Sequence, residues 1–316
     1  MDPCGGDVAW QADYSTSTPR ERLRAAADHN GNVPDVAPPA RPAPAVLRTA
    51  DRQRLHAEVW LGAKDGPLCV PGLWLVVAHG FSGSTRVPAL RRVAAGLSAY
   101  GTVLTYDARG HGRSTGVTTL GDREVQDVDA AIGYARSAGA SSVAALGFSM
   151  GAAAVVRHAA GVQGYALVHR PDAVVAVSGT GPWSTRATAS RSMRRLHLLV
   201  ETWPGRLVTR LVLRTRVDPR GWAVPPVPPA ECVAAVDVPL LLVHGDRDGY
   251  LGLEHPRVLA ERSGAPLWVE PGFGHAEEAI GPELVDRIGR HLVQVLTRPG
   301  PVPSSSGSPD RGRLDP

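Results

Sequence analysis

Short, continuous apolar runs alternate along this chain with longer stretches whose apolar positions recur every three or four residues. The continuous runs are 73–78, 102–106, 143–147, 173–177, 239–243 and 266–269. A strand covered on both faces reads this way, so the runs predict strands of a parallel sheet. Two further strands, 46–49 and 55–60, predict an antiparallel hairpin at a sheet edge. Helices are expected near 86–99, 122–138, 150–160, 254–263 and 282–296. The last opens with Pro282 in its first turn and carries Leu284, Ile288, Leu292 and Val295 on one face. Strand alternating with helix predicts a doubly wound, mostly parallel α/β sheet.

One segment breaks the alternation. After the sixth strand, 179–236 reads as an inserted small helical cap, with helices over 190–201 and 204–216 and an irregular Pro219–Pro229 stretch. In the second helix Arg206, Arg210 and Arg214 form one stripe, beside Leu207, Leu211, Val208 and Val212. The simpler reading of the stripe is a solvated face; an anion or lipid site is the second. The chain is also framed by segments without a core pattern. Residues 1–44 are polar, then proline-rich, and predict a disordered extension with room for a short helix over 20–27. Residues 298–316 are of low complexity and predict a disordered tail. No internal repeat is present.

Composition narrows the class. The 316 residues include 34 basic and 30 acidic side chains, and Lys64 is the sole lysine. A net charge of +4 does not argue for nucleic acid. Cys4, Cys69 and Cys232 form neither a disulfide framework nor a paired metal motif. The histidines share no metal-ligand spacing, so no metal is expected. The N-terminus lacks an apolar signal core, and no run reaches the roughly 20 apolar residues of a membrane helix. A cytoplasmic protein without stable membrane insertion is the default expectation.

The candidate chemistry sits where strands end. Gly147-Phe-Ser-Met-Gly151 lies between the 143–147 strand and the small-residue helix after it. Such a strand–turn–helix holds Ser149 in a strained backbone with its hydroxyl above the sheet. A hydroxyl needs a base, and the base an orienting acid. Asp246 and Asp248 come after the 239–243 strand, and His275 comes after the next one in Gly272-Phe-Gly-His275. Ser149, Asp248 and His275 fit the order nucleophile, acid, base. Asp246 competes for the acid's place, since two residues this close do not both face one imidazole; a bond to its own turn is its other role. Two N–H donors complete the set: Phe81, in the loop His79-Gly-Phe-Ser-Gly-Ser84, and Met150, after the serine.

These motifs, with Asp107-Ala-Arg-Gly-His-Gly-Arg-Ser114 and His244-Gly-Asp-Arg-Asp248, occur in one order over about 46–297. Together the chain resembles the α/β-hydrolase superfamily, and within it the serine aminopeptidase-like and monoglyceride lipase-like esterases and lipases. The resemblance implies an α/β-hydrolase domain over 45–297, with the cap at 179–236 over the site. It implies that the acid is Asp248, and that Asp107, Arg109 and His111 are structural, the first two bonding loop backbone and each other. Hydrolysis of a carboxylic ester, thioester or amide through an acyl-enzyme is expected, with a small-molecule acyl ester as substrate and no cofactor. The alternatives are an acyltransferase or thioesterase with the same triad, and a non-catalytic binding module on this scaffold. Some of Leu196, Leu199, Val200, Trp203, Leu207, Val208 and Leu211 are expected to line an acyl pocket. Oligomeric state has no signature in the sequence.

Overall fold

The computed structural model describes residues 41–63, 66–181 and 189–297. Apart from 41–44, the expected extension with its 20–27 helix lies outside the described residues, and so does the tail.

Eight strands form one sheet in the order β1-β2-β4-β3-β5-β6-β7-β8. They are β1 Ala43–Arg48, β2 Arg54–Trp60, β3 Leu73–Ala78, β4 Thr102–Tyr106, β5 Ser142–Phe148, β6 Ala173–Val177, β7 Leu240–Gly245 and β8 Leu267–Glu270. The β1–β2 and β2–β4 pairs are antiparallel and the other five are parallel. The antiparallel hairpin sits at the edge, as expected, but β1 begins at Ala43, inside the segment assigned to the extension.

The strands are buried on both faces because alternate side chains feed two cores. Val76 and Ala78 point to the core that holds Val128, Ile132, Val155 and Leu259. Leu75 and Val77 point to the other, with Leu90, Val93 and Leu97. Helices α1 (Pro88–Leu97) and α9 (Pro282–Thr297) cover that second face; α2 (Val125–Ser137), α3 (Met150–Ala159) and α7 (Glu254–Ser263) cover the first. Leu284, Ile288 and Leu292 of α9 are buried there as a stripe. Burying a side chain of this kind contributes about 1.5–3 kcal/mol.

The chain passes from β3 outward to β4 and then returns to β5 on the other side of β3. This reversal opens a crevice at the carboxyl ends of β3 and β5, the place where open α/β sheets bind ligands. Ala78 is paired with Gly147 there, so the loops after the two strands start side by side.

The inserted segment carries α4 (Arg191–Glu201), α5 (Trp203–Leu211) and the single turns α6 (Pro229–Cys232) and Val233–Ala235. The helix expected over 204–216 stops at Leu211. Arg214 has φ +51°, and Thr215 and Val217 bridge to His111 and Thr118. Pairing with the loop after β4 outweighs the local periodicity, so Arg214 leaves the arginine stripe. Arg206 leaves it too: its guanidinium donates to the Val200 and Glu201 carbonyls at the end of α4.

Candidate active site

Ser149 stands between β5 and α3 with φ +50° and ψ −110°. This backbone is costly for a non-glycine residue and is held by its surroundings. The Ser149 N–H donates to Val177 O of β6 at 2.9 Å. A Cβ on Gly147 would stand 2.3 Å from Gly151 O, and one on Gly151 would stand 2.4 Å from Ala78 O. The turn is this tight only because both positions lack a side chain. Ser149 does not cap α3 with its side chain.

Its hydroxyl lies 2.9 Å from His275 Nε2, across 126 residues of sequence. The other ring nitrogen, Nδ1, is 2.6 Å from Asp248 Oδ2. Asp248 also accepts the N–H groups of Tyr250 at 2.9 Å and Leu251 at 3.0 Å on its other oxygen. Burial works to raise the Asp248 pKa, but His275 and these two amides outweigh it and hold the carboxyl below its ordinary value. An ionised Asp248 accepts from Nδ1–H, which leaves the Nε2 lone pair facing the serine hydroxyl. The Tyr250 ring lies over the imidazole at 4.6 Å between centroids.

Asp246 is elsewhere. Its Oδ1 accepts the Gly272 N–H at 2.6 Å, so it braces the loop leading to His275 rather than its own turn. The next loop is braced by Ser178, whose hydroxyl accepts the Ala276 N–H at 3.0 Å. Ala276 has φ +54°, and this bond stabilises that conformation directly after the histidine.

The loop after β3 reaches the same crevice. His79 Nε2 accepts the Ala108 N–H at 2.9 Å, so its Nδ1 carries the proton and donates to Gly80 O at 2.7 Å. Gly80 O also accepts the Gly83 N–H. The Gly80 N–H donates to Glu277 Oε1 at 3.1 Å. Gly80 is thus engaged at both ends, and the N–H groups next along the two loops beside the serine are those of Phe81 and Met150. Phe81 packs edge-on against His111 at 5.9 Å, and the Thr118 hydroxyl, which donates to Glu124 Oε1 at 2.7 Å, lies 3.6 Å from Met150 Sδ.

Glu277, like Tyr250, is a site residue that sequence reasoning missed. It is buried, and its Oε2 has no partner among the described residues. A Cβ on Gly80 would meet Oε2 at 3.1 Å and Ser149 Cβ at 3.4 Å, which places the carboxylate beside Ser149. The one available signal was an acidic residue two positions after His275.

The Asp107–Ser114 turn is structural scaffolding. Asp107 accepts the Thr85 and Arg113 N–H groups. Arg109 does not pair with Asp107 as expected; its guanidinium is buried between Asp127 and Asp51. The guanidinium needs two carboxylates because burial would otherwise disfavour its charge. His111 makes a 3.0 Å contact to Arg109 O, and burial pushes its pKa down to about 3. His244 Nε2 bonds Leu251 O and so orders the turn that carries Asp248. Among the described residues no group of three or more His, Cys, Asp or Glu is placed to hold a metal. No described helix is long and apolar enough to cross a membrane.

Comparison with known proteins bears on the fold and the family. No functionally curated protein matches the chain. Among solved structures, the esterase Pf2001 of Pyrococcus furiosus is similar at 21% identity, with TM-score 0.60 over 80% of this chain and 92% of that one. An aryl esterase described as putative, from Burkholderia cenocepacia, is 19% identical, with TM-score 0.60 over 81% and 100%. XC6422 from Xanthomonas campestris, described as an α/β serine hydrolase without lid, is 20% identical, with TM-score 0.54 over 83% and 98%. At such identities the likeness is one of fold. The sequence model of the alpha/beta hydrolase family matches residues 68–300, well over half of the 316 residues and all three loops that meet at Ser149, and the chain belongs to that family.

Proposed function

We propose that the protein is a serine hydrolase that cleaves a carboxylic ester, or a related thioester or amide, through an acyl-enzyme. The observation that carries this reading is His275, bonded at once to Ser149 and Asp248. Ser149 Oγ attacks the substrate carbonyl while His275 Nε2 takes its proton. The tetrahedral oxyanion is held by the N–H groups of Phe81 and Met150. His275, now an imidazolium stabilised by Asp248, gives the proton to the leaving group, and Ser149 carries the acyl group. Water then attacks the acyl-enzyme as His275 accepts its proton, and the acid is released with Ser149 restored.

The residues 179–236 are assigned as a cap over this site. Its described part is tied down at both ends: the Ser190 hydroxyl donates to Tyr250 O, and Thr215 bridges to His111. Of the cap residues expected to line an acyl pocket, Val200 is buried and Leu196 and Leu199 are half-buried. Trp203, Leu207, Val208 and Leu211 are exposed to solvent and are withdrawn as the lining of a closed pocket.

A fluorophosphonate probe tests the reading, since it labels only an activated serine. Wild type should be labelled at Ser149, and p-nitrophenyl esters of graded length should be hydrolysed. Ser149→Ala and His275→Ala should each abolish labelling and turnover, and the double variant should lose little more, because the residues act as a unit. Full turnover by Ser149→Ala would sink the mechanism.

A further inference from the structure

Helix α5 is turned inside out. Its buried residue is Thr209, while Trp203, Leu207, Val208, Leu211 and the adjoining Val212 are 42–70% exposed among the described residues. At 100° per residue these positions sweep about half of the helix circumference. The display is rigid. Thr202 accepts the Gly205 N–H and donates to Leu198 O, and Arg206 ties the start of α5 to the end of α4. Helix α4, packed against α5, turns Arg191, Arg194 and Arg195 to solvent.

Charge singles out the same segment. Residues 190–216 hold seven Arg and one Glu, whereas the whole chain has 34 basic and 30 acidic side chains. The rest of the chain therefore carries two more acids than bases, and the hairpin holds all of the net positive charge.

We infer that the α4–α5 hairpin, residues 190–216, is a docking surface for an anionic lipid bilayer. A half-cylinder of Trp, Leu and Val flanked by arginines suits the boundary between acyl chains and anionic headgroups, where apolar side chains enter and cations stay level with phosphates. A second copy is the wrong occupant: it would bring together two sets of the five exposed arginines, Arg191, Arg194, Arg195, Arg210 and Arg214, and like charges oppose such contact. The inference does not depend on the proposed hydrolysis, because it concerns binding alone.

The test is co-sedimentation of the full chain with vesicles of phosphatidylcholine alone or mixed with phosphatidylglycerol. Wild type should bind the anionic vesicles, bind neutral ones at least tenfold less, and be released by salt. A Trp203→Ser, Leu207→Ser, Leu211→Ser variant should lose binding at every salt concentration. An Arg195→Gln, Arg210→Gln, Arg214→Gln variant should bind about fivefold less per arginine removed. All six side chains are exposed, so both variants should melt like wild type; if the serine variant does not, the arginine variant decides. Failure of wild type to bind either vesicle overturns the inference, as does equal binding to both or unimpaired binding by the arginine variant. Self-association of wild type in place of vesicle binding overturns it in favour of a second copy.

Discussion

Glu277 Oε1 accepts the Gly80 N–H at 3.1 Å and so joins the loop after β3 to the turn that carries His275. In the proposed mechanism the Phe81 N–H and His275 act on one carbonyl, and this bond fixes their two loops to each other. Glu277→Gln keeps an oxygen acceptor for that amide and should retain most activity. Glu277→Ala leaves the amide unpaired, at roughly 1–3 kcal/mol. Its kcat should fall about 5- to 100-fold with KM little changed, because the Phe81 donor drifts from the oxyanion. Equal steady-state constants for Ala and wild type would remove the positioning role.

The two aspartates should separate cleanly. Asp248→Asn places an amide opposite Nδ1 and stabilises the wrong imidazole tautomer, a change that costs about 10⁴-fold in a comparable triad. Asp246→Asn weakens one bond to Gly272 N, which corresponds to about 1 kcal/mol in stability. Turnover and urea unfolding of both variants check this; the reverse ranking would hand the acid's role to Asp246.

Acid should destabilise the fold through His111. Its pKa in the folded chain is about 3, below the ordinary 6.5, because the buried ring resists charge. The unfolded chain takes up the proton first, so falling pH favours unfolding, and stability is lost as pH drops from about 6.5 towards 3. His111→Gln removes that proton uptake. Between pH 7 and pH 4.5 the variant should lose less stability than wild type in denaturant titrations, even if it starts lower.

The serine turn gives a prediction with an internal control. A methyl on Gly147 meets the backbone oxygen of Gly151 at 2.3 Å, so Gly147→Ala must shift α3 and should cost roughly 1–3 kcal/mol. Gly281→Ala meets nothing within 4 Å and should stay within about 0.5 kcal/mol of wild type. Thermal melts of the two variants, with fluorophosphonate labelling, show whether the elbow is as tight as its geometry.

How each part is held decides whether it is legible in the sequence. The strand over 73–78 was readable to the residue, because a strand inside a parallel sheet is apolar throughout and nothing else in the segment competes. The end of α5 was not, because its apolar repeat continues past Leu211 while Thr215 and Val217 are drawn into pairing with distant loops. Ser149 and His275 were readable as residues at strand ends, whereas Asp248 was separated from Asp246 only by the family resemblance; the structure brings Ser149, Asp248 and His275 together. Glu277 and Tyr250 were not readable, since their contacts to Gly80 and to the His275 ring exist only after β3, β7 and β8 have been assembled into one sheet.

Ser149 and His275 are 126 residues apart, and His275 lies beyond β7 and β8. During synthesis, the serine leaves the ribosome long before its base. Until the last strand is added, and α9 has sealed its apolar stripe against α1, the hydroxyl is an ordinary alcohol. On the proposed mechanism a nascent or truncated chain is therefore inert toward acyl groups, and reactivity arrives together with the completed fold.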